Sequence, residues 1–220
     1  MKKNKTIYLS YFTDESTPIY GGKKTIKFNT ASSIKNGDSS NTMSISFSNH
    51  TGTHIDFPKH FDDTGNHSND YSPEFWFFKN PFLIHKACEE DEIITLSKSE
   101  LESIPIETDF LILKTDFFKI RDSKKYWNNN PGLSPKLYHQ LADRLKKLRV
   151  IGGDYISVSS YQNRELGRIA HREFLASDNP ILLVEDMDLS KINISPKQIF
   201  CFPLLINKSD GAPVTIIAQL

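Results

Sequence analysis

The chain has 220 residues, 38% of them hydrophobic, and its 27 Lys and Arg balance 27 Asp and Glu to a formal charge of zero. That length supports one substantial core, and the balanced charge makes no electrostatic case for a nucleic-acid or anionic-membrane partner. No apolar run approaches the roughly 20 residues of a membrane helix, and two cysteines, Cys88 and Cys201, are too few for a disulfide scaffold and read as buried free thiols of a cytoplasmic protein.

The chain starts with the basic stretch Met1-Lys2-Lys3-Asn4-Lys5 and continues as Ile7-Tyr8-Leu9-Ser10-Tyr11-Phe12. That run is too short and too polar for a signal peptide and reads as a first strand. Residues 34–42 form a polar loop. Residues 43–48 then alternate apolar residues with Ser, which predicts a strand with one buried face. Residues 82–87 and 110–114 read as further strands. Between them, Ser97-x-x-Glu100 is a capping box that opens a short helix with Leu101 and Ile104 on one side.

Ser134-Pro135 starts a stronger helix, with Ser as N-cap and Pro in the first helical position. Leu137, Leu141, Leu145 and Leu148 form its apolar stripe, and the basic residues of 144–149 its wet face. Residues 150–158 read as a strand interrupted by Gly152-Gly153. A last helix over residues 163–176 turns Leu166, Ile169, Ala170 and Phe174 inward, and Asn179-Pro180 forbids its continuation. Residues 181–185 are a buried strand. Residues 199–206 and 213–218 make two more, the second following an Asp210-Gly211 turn. Many strands and few helices imply one mixed α/β domain over residues 1–220, built on a barrel-like or curved sheet with flanking helices.

Three of the seven histidines and a carboxylate fall within eleven positions: His50, His54, Asp56 and His60. Imidazole nitrogen and carboxylate oxygen are the donors that zinc, manganese and iron prefer. In an extended segment His54 and Asp56 share a face about 6–7 Å apart, whereas His50 lies about 13 Å from His54 on a straight chain. Gly52 permits the bend that folds His50 back beside them. Asp56 has two oxygens and could bridge a pair of ions. A second ion needs further donors, and His171, beside the apolar face of the last helix, and Glu185, ending an apolar strand, are the best placed. His60 lies beyond Pro58, suited to act as a proton shuttle beside the metal. His67, His85 and His139 have no motif and read as structural or solvated.

The segment His50-Thr51-Gly52-Thr53-His54-Ile55-Asp56-Phe57-Pro58-Lys59-His60-Phe61 resembles the signature His-x-Gly-Thr-His-x-Asp-x-Pro-x-His-Phe of the cyclase-like metal-dependent hydrolases, the kynurenine formamidase and isatin hydrolase family. Gly152-Gly153-Asp154 with Ser157, the segment from His171 to Glu185, and Asp210-Gly211-Ala212-Pro213-Val214 extend the likeness along the chain. The resemblance implies a swivelling β/β/α fold and an oligomer, here a homodimer or homotetramer. It also implies one or two divalent metals on His50, His54, Asp56, His171 and Glu185, with His60 as catalytic acid/base. Zinc is the first choice of ion, with manganese or iron as alternatives. Two departures stand out: the His171–Glu185 segment is slightly long, and Thr215 stands where an arginine is expected.

The expectation is a metal-dependent amidohydrolase acting on a small molecule. A metal-bound hydroxide attacks an aryl-formamide, cyclic amide or related C–N bond, and His60 delivers a proton to the leaving nitrogen. Phe57, Phe61, Tyr71, Phe75, Trp76, Phe77 and Phe78, with Tyr20 and Trp127, are candidates for an aromatic substrate wall. Two other readings use the same residues: a lyase or cyclase acting on a polyketide-like ring, and a non-catalytic binding protein that keeps fold and metal.

Overall fold

Runs such as Phe110-Leu111-Ile112-Leu113 and Leu182-Leu183-Val184 have no polar face, and such runs suit strands covered on both sides. In the computed structural model, which describes residues 5–220, they flank the strand of residues 150–153 near the centre of a mixed sheet; residues 1–4 fall outside the described residues. The strands are β1 (Thr6–Tyr8), β2 (Lys27–Ser32), β3 (Thr42–Ser46), β4 (His54–Asp56), β5 (Phe77–Phe78), β6 (Pro81–His85), β7 (Ile93–Ile94), β8 (Phe110–Lys114), β9 (Gly132–Leu133), β10 (Val150–Gly153), β11 (Leu182–Glu185), β12 (Gln198–Pro203) and β13 (Gly211–Gln219). The helices are α1 (Lys98–Ser103), α2 (Lys124–Asn128), α3 (Pro135–Arg144) and α4 (Arg164–Leu175).

The main sheet runs β5-β12-β13-β4-β11-β10-β8-β6, with β1 paired to the far end of β13. Strands β6, β8, β10 and β11 are parallel; β4, β12, β13 and β5 are antiparallel to their neighbours. β5 and β6 stand at opposite ends of this order, yet only Lys79 and Asn80 separate them in the chain. The sheet must therefore curl until its ends nearly meet, giving the barrel-like core with flanking helices expected of the fold.

One ion pair holds that seam. The Asp109 carboxylate accepts from the backbone N–H of Lys79 (2.9 Å) and Asn80 (3.1 Å). Arg149 donates to the carbonyls of Phe75 (2.6 Å) and Phe77 (2.9 Å), lies 3.5 Å from Asp109, and covers the Phe75 and Phe78 rings. Burial of this guanidinium lowers its pKa from the usual range, with Asp109 opposing the shift.

The local readings hold in outline, with corrections: the strands read over residues 7–12, 150–158 and 199–206 end at Tyr8, Gly153 and Pro203, and Arg149, at the seam, is not on a wet face. Residues 43–48 give the expected strand but no buried face: β2 and β3 form a separate hairpin in which Met43 is 60% and Ile45 51% exposed. Alternation reports an apolar face, not a layer that covers it. The α3 helix stops at Arg144, and Leu145 and Leu148 reach the core from the turn beyond it. Arg144 is not on a wet face, because its guanidinium donates to the carbonyls of Leu101, Glu102 and Ile104 and so closes the end of α1. Ile169 points outward on α4, where Gly167, Ala170, His171 and Phe174 face in. The capping box of α1 is complete, with Ser97 Oγ accepting from Glu100 N and Glu100 accepting from Ser97 N. No helix among the described residues is long and apolar enough to cross a membrane.

Asp109→Ala leaves two backbone donors at the seam without an acceptor, so it should lower unfolding stability by about 1–3 kcal/mol. Urea denaturation checks this against Asp63→Ala, which loses only an exposed Lys59 contact and should be near neutral; equal stability of the two variants would contradict the seam.

Candidate metal centre

Gly52 adopts φ +64°, the left-handed turn that a side chain resists, and the chain doubles back there. His50 lands with its ring 5.3 Å from that of His54 and its Nδ1 2.7 Å from Asp56 Oδ1. The three residues of β4 then alternate: His54 and Asp56 face the cavity, and Ile55 enters the core.

β4 lies between β11 and β13, where the parallel half of the sheet meets the antiparallel half. Such switch points leave a crevice beside the strand ends. Glu185, at the end of β11, is the Cα partner of His54, and Gly211, at the start of β13, is the partner of Asp56. His171 comes in from α4, which packs on β11.

Three donors converge and a fourth adjoins them. His54 Nε2 is 3.5 Å from Asp56 Oδ1 and 3.4 Å from Glu185 Oε2, and His171 Nε2 is 3.7 Å from Asp56 Oδ2 and 3.5 Å from Glu185 Oε1. These separations are long for hydrogen bonds. The donor atoms of His54, Asp56 and Glu185 lie within 4.8 Å of one another, near the spacing of about 3.4 Å between ligands that each lie about 2.0–2.1 Å from a common tetrahedral ion, and His171 adjoins them on the other oxygen of each carboxylate. The far side of each imidazole is held by backbone: His54 Nδ1 donates to Gly52 O and His171 Nδ1 to Gly167 O, both at 2.8 Å. A carbonyl can only accept, so both Nε2 atoms carry the lone pair that a cation needs when the ring is neutral. Glu185 is fixed by Ser157 Oγ (3.1 Å) and Val158 N (2.7 Å). The donor set therefore fits a divalent cation.

Asp56 also belongs to a second group, with His50 and His60, whose donor atoms lie within 4.8 Å of one another. His50 is hydrogen-bonded at both nitrogens, to Asp56 and, at 3.0 Å, to Asp210 Oδ2. Asp210 Oδ2 also accepts from His60 Nδ1 at 2.9 Å, and Asn49 Nδ2 donates to its other oxygen at 2.7 Å. The close approach of β13 depends on glycine, since a Cβ on Gly211 would stand 2.4 Å from His50 Cε1.

The residue after Glu185 is strained. Asp186 has φ +53°, uncommon for a residue with a side chain. Its carboxylate takes two hydrogen bonds from Arg121 (2.8 and 2.6 Å) and one from Tyr126 (2.6 Å), and its carbonyl accepts from Thr53 Oγ1. The Tyr11 ring covers the Arg121 guanidinium at 3.7 Å. This clamp ties the end of β11 to the residue preceding His54.

Burial disfavours charge throughout the cluster, but the groups stabilise each other. For His50, burial is outweighed by the bonds and fields of Asp56 and Asp210, which raise its pKa to about 9. His54 and His171 are raised likewise, against burial, by Glu185 and Asp56. Burial, and for Asp56 the neighbouring charge of Glu185, push the carboxylates up; the histidines win, and Asp56, Glu185 and Asp210 end below the usual carboxylate range.

The structure thus brings together all six residues singled out in the sequence and adds Asp210. In the sequence Asp210 stands in an Asp-Gly turn and in a segment that shares the family likeness, and neither assigns it a role beside the histidines. Ser157, which holds Glu185, stands out in the sequence only as part of the family likeness, and Gly167, which holds His171, carries no such signal. The aromatic wall needs correcting. The cavity, about 290 Å³, is walled by Tyr20 and Phe61 with Pro18, Ile19 and Ile156. Phe57, Trp76 and Phe78 are core residues, Tyr71 and Phe75 pack against them, and Phe77 lies against Phe200 and Phe202 on the outside. Trp127 stands behind Tyr20, against Gly22. Thr215 opens into a different hollow, with Tyr8, Tyr11 and Phe202, which has no histidine or carboxylate in its lining.

A family model described as "Putative cyclase" matches residues 7–160. Among curated proteins the chain is similar to the kynurenine formamidases of Bacillus mycoides (strain KBAB4) and Bacillus anthracis, each 27% identical over 222 residues, covering 100% of this chain and 99% of the relative. Among solved structures it is similar to isatin hydrolase A from Labrenzia aggregata bound to benzyl benzoate, with TM-score 0.81 and 19% identity over 99% of this chain and 94% of that one. It is also similar to a structure described as a predicted metal-dependent hydrolase from Bacillus stearothermophilus, with TM-score 0.75 and 20% identity over 98% of each chain. At these identities the solved structures speak for the fold.

Because His50 is raised from 6.5 to about 9, its stabilising proton is fully present below about pH 6.5 and lost as pH rises through about 9. Chelator-treated protein should therefore lose stability to urea across that window. Calorimetric titration with zinc at pH 7 in two buffers of different ionisation enthalpy should show proton release; a flat stability profile together with no released proton would contradict the pairing described.

Proposed function

The chain belongs to the cyclase family, and on that premise we propose that it is a metal-dependent amidohydrolase opening the C–N bond of a small aryl-formamide or cyclic amide. The observation that carries the reading is the convergence of His54 Nε2, His171 Nε2, Asp56 and Glu185 at ligand-like separations, with both histidines oriented by backbone carbonyls. The 27% identity to kynurenine formamidases over the whole chain supports the hydrolase class. These four residues are the proposed holders of the first ion, with His50, bonded to Asp56, beside them for a second. Two imidazoles and two carboxylates suit zinc, and manganese or iron take the same donors. Such an ion, when bound, supplies Lewis acidity that polarises a carbonyl and lowers the pKa of water toward neutrality.

The protein's own groups do the rest. His60 lines the cavity, and its Nδ1–H donates to Asp210, so Nε2 is the basic nitrogen. Asp210 fixes the ring and steadies the imidazolium that forms when Nε2 takes a proton from the attacking water. The water's oxygen bonds to the carbonyl carbon, the C–N bond breaks, and the same proton passes from Nε2 to the departing nitrogen. The products are an acid and an amine or, from a cyclic amide, one ring-opened amino acid. A cavity of about 290 Å³ admits one or two fused rings, at the small end of ligand sites. That size disfavours a polyketide-sized substrate.

His60→Ala should lower kcat by about 10²–10⁴-fold on the substrate that turns over while leaving the metal content of the purified protein unchanged. N-formylkynurenine and isatin, assayed with and without chelator beside elemental analysis, provide the test. A fully metal-loaded protein that hydrolyses neither would overturn the hydrolase reading, and unchanged kcat in the variant would overturn the role of His60.

A further inference from the structure

Four residues with side chains hold a positive φ among the described residues: Asp91, Asp116, Asp186 and Lys208. Only Asp186 of these is buried, at 1% exposure, and it immediately follows the donor Glu185. A left-handed residue inside the core persists only where its surroundings enforce it. Every polar group of Asp186 is taken. Its N–H donates to Tyr155 O at 2.8 Å, and its carbonyl accepts from Thr53 Oγ1. Its carboxylate accepts two bonds from Arg121 and one from Tyr126.

Arg121 is itself held from the parallel half of the sheet. It ends the loop that follows β8, and that loop is pinned where the Asp154 carboxylate, just past β10, accepts from the N–H groups of Thr115 (2.6 Å) and Phe118 (3.3 Å). On its other side the Tyr11 ring covers the guanidinium, and the Tyr11 N–H donates to Thr53 Oγ1 at 3.0 Å. The ion pair thus meets the chain one residue from Glu185 and, through Thr53, one residue from His54. Neither Arg121 nor Tyr126 lines the cavity.

We infer that Arg121 is a positioning residue of the metal centre: by holding Asp186 in its left-handed conformation it sets the directions of Glu185 and His54, and with them the affinity of the site for a divalent cation. The fork matters as well as the charge. Two parallel N–H···O bonds fix the plane of the Asp186 carboxylate, which a point-charge ammonium does not. The inference rests on the proposed metal site and adds a determinant of its affinity that touches neither ion nor substrate.

Zinc affinity of the full chain, read by competition with a chromophoric chelator, tests this without turnover. Arg121→Met should weaken zinc binding about 10–100-fold, the usual effect of losing a group that orients ligands from behind. Arg121→Lys keeps the charge without the fork and should weaken it less. Glycine takes the left-handed turn unaided, so the double variant Arg121→Met/Asp186→Gly should recover most of the lost affinity. A contact that served stability alone would not be rescued in this way, and urea midpoints of the metal-free variants report stability separately. Where Arg121→Met does not fold, Tyr126→Phe decides, since it removes one of the three bonds to Asp186, keeps the ion pair, and should still weaken zinc binding. Wild-type zinc affinity in the deciding variant, or no recovery in the double variant, overturns the inference. Wild-type protein that binds zinc but hydrolyses neither N-formylkynurenine nor isatin counts against the amidohydrolase reading alone; wild type that binds no zinc overturns the metal site and the role of Arg121 with it.

Discussion

Two carboxylates buried against each other are the constraint on which this molecule depends. Asp56 and Glu185 are almost wholly buried and close enough for each to disfavour the other's charge. A low-dielectric pocket tolerates such a pair only if positive charge is supplied between them. His54 and His171 stand against both carboxylates, which raise their pKa values against burial; a divalent cation would meet the demand with a larger charge at a fixed point. The surrounding fold makes the pairing unavoidable. β11 delivers Glu185 directly opposite His54, and β13 closes the other side of β4 with a glycine because nothing larger fits beside His50.

The same logic explains why strain is concentrated here. Gly52 and Asp186 both take left-handed backbone conformations, one just before His54 and the other just after Glu185. Thr53 links them through the Asp186 carbonyl, and Arg121 with Tyr126 clamps the Asp186 side chain from behind. Backbone strain of this kind costs on the order of 1–3 kcal/mol per residue and persists only where surrounding structure enforces it. The barrel seam at Asp109 and Arg149 lies away from this machinery, and it keeps the curled sheet closed so that the switch point between β11 and β4 remains a crevice.

Much of this was legible in the sequence because the information was local. The segment from His50 to His60 carries its own bend, alternation and donors, so its geometry follows from eleven residues. His171 and Glu185 were readable by a chemical argument, a carboxylate and an imidazole on faces where water is scarce. Asp210 was not, because Asp before Gly is fully accounted for as a turn and its second role appears only when β13 lies beside β4. The exposed face of β3 was misread for a similar reason: alternation at Met43 and Ile45 is a property of the strand, while coverage is a property of the rest of the molecule. The aromatic run at residues 75–78 went to the core and the seam, which only the sheet's closure could decide. Arg144 and Arg149 looked like solvated charges until the carbonyls they bind were in place.

Anomalous diffraction from crystals of the purified, metal-loaded protein, recorded at the absorption edge of its metal, tests the central claim most directly. The account predicts a peak within about 2.0–2.3 Å of His54 Nε2, His171 Nε2 and oxygens of Asp56 and Glu185. A bound metal located elsewhere, with no peak among these four side chains, would contradict it.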